Sequence, residues 1–315
     1  MKAAQIQRYG EPGVLRINEV DRPAPGEGEV LVQVEASSVN GHDVIVRSGG
    51  LKMISGRKFP LGTGLDFAGV VAAAGPGQAG YGAGDRVWGT VHPRHRHVTG
   101  AAAEYVTVPA DRVALAPADI SPTDAASLVV AGTTALIALR DSTHLASGER
   151  VLVRGAAGGV GTAAVQLAHA MGGHVTALAR DRYAGALGDL GAGQVLGYDA
   201  TPEQTGSFDV IIDTAGSDLE CYRRRLTRNG RMVTIGLSAP ALAAIALSTV
   251  HGSRRIRTFS ANPDTALLQD LAAHVASGAL RPVVSSVYPL ADIAAAHQAF
   301  SRGGILGKHV ITVAA

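Results

Sequence analysis

The chain has 315 residues, enough for two domains that each bury a core. Its 28 Lys and Arg stand against 26 Asp and Glu, and a formal charge of +2 is too small to favour nucleic acid or an anionic membrane, leaving small molecules as the expected partners. One cysteine, Cys221, excludes an intramolecular disulfide and a cysteine-based zinc cluster, while 46% apolar and 17% charged residues exclude a disordered chain.

The opening MKAAQIQRYG has no apolar core, so no secretory signal is expected. The longest apolar run, Ala239–Val250, is too short to cross a bilayer, and the expected location is the cytoplasm.

Residues 1–119 read as a β domain, with short strands punctuated by Gly and Pro and little helical periodicity. Glu29–Ser38 alternates, with Val30, Val32, Val34 and Ala36 on one face and Leu31, Gln33 and Glu35 on the other. Phe67–Ala73, Arg86–Gly89 and Glu104–Val108 complete the candidates for a small, partly closed barrel. From about residue 120 to 260, strands at 151–153, 175–179, 194–196, 209–212 and 231–235 alternate with helical stretches, which predicts a doubly wound parallel sheet. The tail, 261–315, reads helix, strand (Val283–Tyr288), helix (Leu290–Phe300), strand (Val310–Val313), and is expected to return to the first domain.

The most informative stretch is Arg150–Ala168, RVLVRGAAGGVGTAAVQLA. Val151, Leu152 and Val153 form the continuous apolar run of a strand buried on both faces. From Val160, apolar residues recur at Ala164, Leu167, Ala168 and Met171, the stripe of a helix packed on a sheet. Between them lies the turn Gly155, Ala156, Ala157, Gly158, Gly159, Val160, Gly161. Its glycines let backbone N–H groups approach a pyrophosphate at a helix N-terminus, so the strand–turn–helix context makes this a dinucleotide cradle.

The next strand ends at Arg180, Asp181 and Arg182, where an acidic residue would hold the ribose hydroxyls of NAD. A guanidinium there favours a 2′-phosphate and hence NADPH; an Arg–phosphate hydrogen bond of about 1.5–3 kcal/mol gives roughly 10- to 100-fold preference. The other reading leaves Arg180 in solvent and gives the ribose to Asp181.

Taken together, SSVNGHDVIVRSGG (Ser37–Gly50), FPLGTGLDFAGVV (Phe59–Val71), GDRVWG, AAEYVTVP, AGTTALIAL (Ala131–Leu139), RGAAGGVGTAAVQLA, FDVIIDTAG, NGRMVTIG, LRPVVSSVYPL and GKHVI resemble, in this order, the zinc-independent quinone oxidoreductase branch of the medium-chain dehydrogenase/reductases. The resemblance covers nearly the whole chain. It implies an α/β protein with a GroES-like β-barrel catalytic domain (1–119), a Rossmann NADP-binding domain (120–260) and a C-terminal segment (261–315) returning to the catalytic domain.

Zinc-dependent relatives carry a Cys in the segment matching SSVN and a His before the acidic residue of the segment matching GLDFAG. Asn40 and Leu65 stand there instead, so no metal ligand set is expected and Asp66 is left as a structural carboxylate. The resemblance then implies NADPH-dependent hydride transfer to a quinone or an activated C=C bond. An enoyl-thioester or α,β-unsaturated carbonyl reductase and a non-catalytic NADPH-binding protein are the alternatives. It also places Asn40 near nicotinamide and substrate, Thr133 and Thr134 in the same region, Gly236 and Leu237 beside the carboxamide, Phe259, Ser260 and Asn262 in a loop closing on the ring, and Lys308 near the cofactor phosphates. A homodimer through the edge strand Ile256–Phe259 is the implied assembly.

Each residue has a plainer reading. Asn40 serves a turn, Thr133 and Thr134 cap a helix, and Lys308 is a solvated charge on an edge strand. Asp43 and Arg47, four apart, read as a local ion pair. His42 is the proton-donor candidate in its segment, and His92, His95 and His97 form a solvated or substrate-facing loop. Cys221 has no base placed beside it, and the Arg223–Arg228 cluster is a solvated face.

Overall fold

A computed structural model describes residues 1–52, 58–78, 80–91, 99–200, 202–236 and 238–313. It divides into two compact units: Met1–Val130 with Asn262–Ala276 and Pro282–Ala315, and Ala131–Ala261 with Ser277–Arg281. In chain order the strands are β1 (Lys2–Ile6), β2 (Leu15–Glu19), β3 (Glu29–Ser38), β4 (Leu61–Gly62), β5 (Asp66–Ala74), β6 (Arg86–Thr90), β7 (Tyr105–Pro109), β8 (Val113–Leu115), β9 (Arg150–Arg154), β10 (His174–Leu178), β11 (Gln194–Leu196), β12 (Phe208–Asp213), β13 (Leu226–Thr234), β14 (Ile256–Arg257), β15 (Val284–Pro289) and β16 (Lys308–Thr312).

The first unit holds a three-stranded sheet, β2-β1-β4, and a seven-stranded sheet, β15-β16-β3-β5-β6-β8, with β7 also paired to β3. Strand β3 organises it, because it pairs antiparallel with β5, β7 and β16 along its ten residues. Flanked in this way, Leu31 is as buried as Val30 and Val32, and the expected two-faced alternation survives only at Gln33 and Glu35. Val30, Val32, Val34, Phe67, Val71 and Val87 pack into one core with Ile293, Ala296 and Ile311 from the C-terminal segment, of which Asn262–Ala276 and Pro282–Ala315 belong to this unit and Ser277–Arg281 to the other.

Strands β1, β2, β4 and β8 and the helix Gly41–Ser48 were not expected from the sequence. That helix contains the run Val44–Val46, which reads as a strand; it forms because Asp43 accepts the Asn40 N–H at its start and Gly49, at φ +86°, closes its end. Arg47 donates to the Gly10 carbonyl at 2.5 Å, and Asp43 also accepts the Gly64 N–H, so the local Asp43–Arg47 pair expected from spacing is replaced by two longer-range contacts.

The second unit is built on a six-stranded parallel sheet, β11-β10-β9-β12-β13-β14, with β9 and β12 adjacent at its centre. Val151, Leu152 and Val153 are fully buried, as a central parallel strand requires. The helix Gly159–Ala170 packs on it through Ala163, Ala164, Leu167 and Ala168. Strand β14 is the short edge and spans two residues rather than four. The helix Pro122–Leu136 runs on into a π-helical stretch, Ile137–Ser142. Together they make a 21-residue apolar helix long enough to cross a membrane, with 72% of its most apolar window buried inside the protein; this, not Ala239–Val250, is the longest apolar segment.

Candidate active site

In the second unit the turn after β9 is shaped by its glycines. Gly155 sits at φ +68°, and a Cβ there would collide with the Thr214 hydroxyl; at Gly161 it would collide with the Gly155 carbonyl and lie 2.7 Å from Ala156 Cα. These two glycines are needed for the helix to approach the strand. Gly158, capping the helix, is different: a Cβ there would meet nothing nearer than the Gly155 carbonyl at 3.5 Å. The open side of the turn is therefore at Gly158, where the first-turn N–H groups of Gly159, Val160 and Gly161 have no acceptor among the described residues. A dinucleotide pyrophosphate fits this arrangement, since it supplies acceptors and negative charge where the helix offers donors and positive potential.

The turn is anchored from below. Arg154, ending β9, forms a buried ion pair with Asp213, ending β12, donates to the Ser217 carbonyl at 2.6 Å and lies 3.7 Å from the Tyr222 ring centroid. Asp213 also accepts the Gly216 N–H at 2.8 Å and the Thr234 hydroxyl at 2.7 Å. Three strand ends are thus tied together. Gly216, at φ +71°, lies against Gly236, and a Cβ on either would sit 2.6–2.7 Å from the other's backbone.

Arg180 follows β10 with its side chain exposed and its guanidinium without a hydrogen bond among the described residues, whereas Arg182 donates to the Tyr183 hydroxyl at 2.9 Å. Sequence reasoning missed Tyr198, two residues beyond β11 and 51% exposed. Burial pushes its phenol up, and the nearby charges of Arg154 and Arg180 oppose that shift. The signal was available, since a polar aromatic just past the carboxyl end of a parallel strand lies where such sheets bind ligands.

Thr133 and Thr134 lie late in the helix Pro122–Leu136, at 0% and 4% exposure, and are not caps. Phe259 is half-buried and Ser260 exposed beyond β14. Asn262, with the first unit, accepts from Arg112 at 2.5 Å. Leu237 and the histidines His92, His95 and His97 lie outside the described residues.

In the first unit the expected residues Asn40 and Lys308 belong to one buried cluster with Asp66. Ser38 gives Asp66 its N–H (2.9 Å) and its hydroxyl (2.7 Å to Oδ2), and Asn40 Nδ2 donates to Asp66 Oδ2 and to the Ser38 carbonyl, both at 3.2 Å. Lys308 Nζ donates to the Val39 carbonyl at 2.9 Å and to Asn40 Oδ1 at 2.6 Å. Burial pushes the Asp66 carboxyl up and the Lys308 ammonium down, and each charge partly counters the other's shift. Lys308 is thus not a solvated edge charge, because strand β16 turns it inward toward β3. His42 lies half-buried on the helix that Asn40 starts. Neither Asn40, whose amide is spent on Lys308 and Asp66, nor Leu65 offers a metal ligand, and among the described residues no three His, Cys, Asp or Glu cluster to hold one.

Residues 26–118 match the alcohol dehydrogenase GroES-like domain and residues 190–311 the zinc-binding dehydrogenase domain. The quinone oxidoreductase of Sus scrofa is 31% identical over 329 residues, covering 99% of this chain and 97% of its own. The chain belongs to the zinc-independent quinone oxidoreductase branch of the medium-chain dehydrogenase/reductases. It is an NAD(P)H-dependent oxidoreductase acting on a small molecule. Among solved structures, the quinone oxidoreductase of Coxiella burnetii is similar with a TM-score of 0.91 at 30% identity, covering 100% of this chain and 99% of that one. The Escherichia coli quinone oxidoreductase complexed with NADPH has a TM-score of 0.86 at 26% identity, covering 99% and 100%.

Proposed function

We propose that this oxidoreductase prefers NADPH and reduces a quinone or an activated C=C bond. The observation that carries the reading is the pairing, in one unit, of a glycine turn whose N–H groups have no acceptor among the described residues with a guanidinium, Arg180, that makes no hydrogen bond among them. When bound, NADPH supplies the hydride. The N–H groups of Gly159, Val160 and Gly161 hold its pyrophosphate, and Arg180, with Tyr198 in its field, holds the 2′-phosphate. Gly236, Thr133, Thr134, Phe259 and Ser260 shape the nicotinamide end. In the first unit Asn40 contacts the substrate and His42 supplies the proton. The relative from Escherichia coli seen with NADPH supports the cofactor choice.

The enzyme is further proposed to be a homodimer. The helix Ala239–Ser248 and the turn after it leave Leu242, Leu247 and Val250 at 55%, 74% and 82% exposure, beside the unpaired edge of β14.

NADPH oxidation with 1,4-benzoquinone, 9,10-phenanthrenequinone and a simple enone tests the activity. Turnover with a quinone or the enone supports the reading. NADPH binding without turnover of any acceptor would move the protein to a narrow enoyl-thioester substrate or a non-catalytic role.

A further inference from the structure

We propose that Lys308 and Asp66 form a positioning pair whose task is to hold the Asn40 side-chain amide in one orientation, its oxygen toward Lys308 and its NH2 toward Asp66. The link to turnover rests on the proposed function; the orientation itself does not.

An asparagine amide has two nearly isosteric ends and, left to itself, turns over. Here the two ends face opposite charges. Oδ1 accepts from the Lys308 ammonium at 2.6 Å, and Nδ2 donates to the Asp66 carboxylate at 3.2 Å. Reversing the amide would set its NH2 against an ammonium and its oxygen against a carboxylate, two repulsive contacts in a site where Asn40, Asp66 and Lys308 are 5%, 0% and 7% exposed.

Both Nδ2 hydrogens are committed, one to Asp66 and one to the Ser38 carbonyl. Oδ1 accepts from Lys308 and, in the capping box, from the Asp43 N–H. Lys308 has spent two of its three N–H groups, on Val39 and Asn40. Lys308 acts through Asn40 and is a positioning residue.

The test uses the full chain with its asparagines labelled in the side-chain nitrogen. Asn40 is one of only four, with Asn18, Asn229 and Asn262, so its amide signals are assigned by their loss in Asn40→Ala. In wild type the Asn40 amide protons should exchange with solvent at least about tenfold more slowly than those of exposed Asn229 and Asn262. In Lys308→Met that protection should disappear and kcat should fall about tenfold or more, while the dissociation constant for NADPH stays within about twofold. Because Lys308→Met leaves Asp66 buried and unpaired, Asp66→Asn/Lys308→Met is measured beside it. With neither charge present it should fold, show an unprotected Asn40 amide and remain slow. Weakened NADPH binding with the amide still protected would overturn the proposal in favour of a phosphate role. A double variant with wild-type amide protection and kcat would overturn it outright. If wild type turns over no acceptor, the reductase reading fails, and the exchange measurement still decides the orientation.

Discussion

His309 is 2% exposed, its two ring nitrogens have no hydrogen-bond partner, and its ring meets Tyr288 edge-on at 5.6 Å. Burial, then the charges of Lys308 and Arg302, pushes its pKa below the usual 6.5. The unfolded chain therefore takes up a proton on this residue near pH 6.5 that the folded chain refuses, so stability is complete above that pH and falls as pH drops toward the folded value. One such proton contributes a slope of at most about 1.4 kcal/mol per pH unit. Urea unfolding of wild type and His309→Phe between pH 7.5 and pH 5 should show a shallower acid-side loss in the variant; parallel curves would remove His309 from the pH response. The glycines make a second contrast at this scale. Gly161→Ala, whose Cβ meets backbone, should cost about 1–3 kcal/mol of stability, whereas Gly158→Ala should keep its stability and lose cofactor affinity, because its Cβ enters the space facing the pyrophosphate. Thermal melts and NADPH titrations separate the two, and equal destabilisation would place the open side of the turn elsewhere.

At the scale of elements, what was legible follows from how far each signal travels along the chain. Strand β9, its turn and the helix Gly159–Ala170 were readable because one uninterrupted segment carries the apolar run, the glycines and the helical stripe. The helix Gly41–Ser48 was hidden, since Val44–Val46 imitates a strand and the stabilising contacts come from Gly10 and Gly64, distant in sequence. Thr133 and Thr134 read as caps only while the start of their helix was unknown; eleven and twelve residues after Pro122, they are core positions. The Asn40, Asp66 and Lys308 cluster joins three segments, and nothing in GKHV states that β16 pairs with β3 so as to lay Lys308 over Asn40. The ties that fix the cofactor turn are of the same kind. Arg154 and Asp213 end neighbouring strands 59 residues apart, so their pairing appears only once β9 and β12 are adjacent.

For the molecule as a whole, the family architecture was legible because many modest motifs fall in one order, while the assembly was not, because a surface declares itself only when burial is known. The helix Ala239–Ser248 has no charged residue, and Leu242, Leu247 and Val250 stay exposed on one copy. Sedimentation of wild type should give a dimer and of Leu247→Glu a folded monomer; a wild-type monomer would leave that face to another use. The second unit is proposed to read the 2′-phosphate of NADPH through Arg180. The most direct test is the ratio of kcat/KM for NADPH over NADH, at fixed ionic strength and with one quinone acceptor, in wild type and Arg180→Ala. A wild-type preference for NADPH that falls by about 10- to 100-fold in the variant, with NADH turnover little changed, is the expected result. A ratio unchanged by the substitution, or a wild-type preference for NADH, would contradict it.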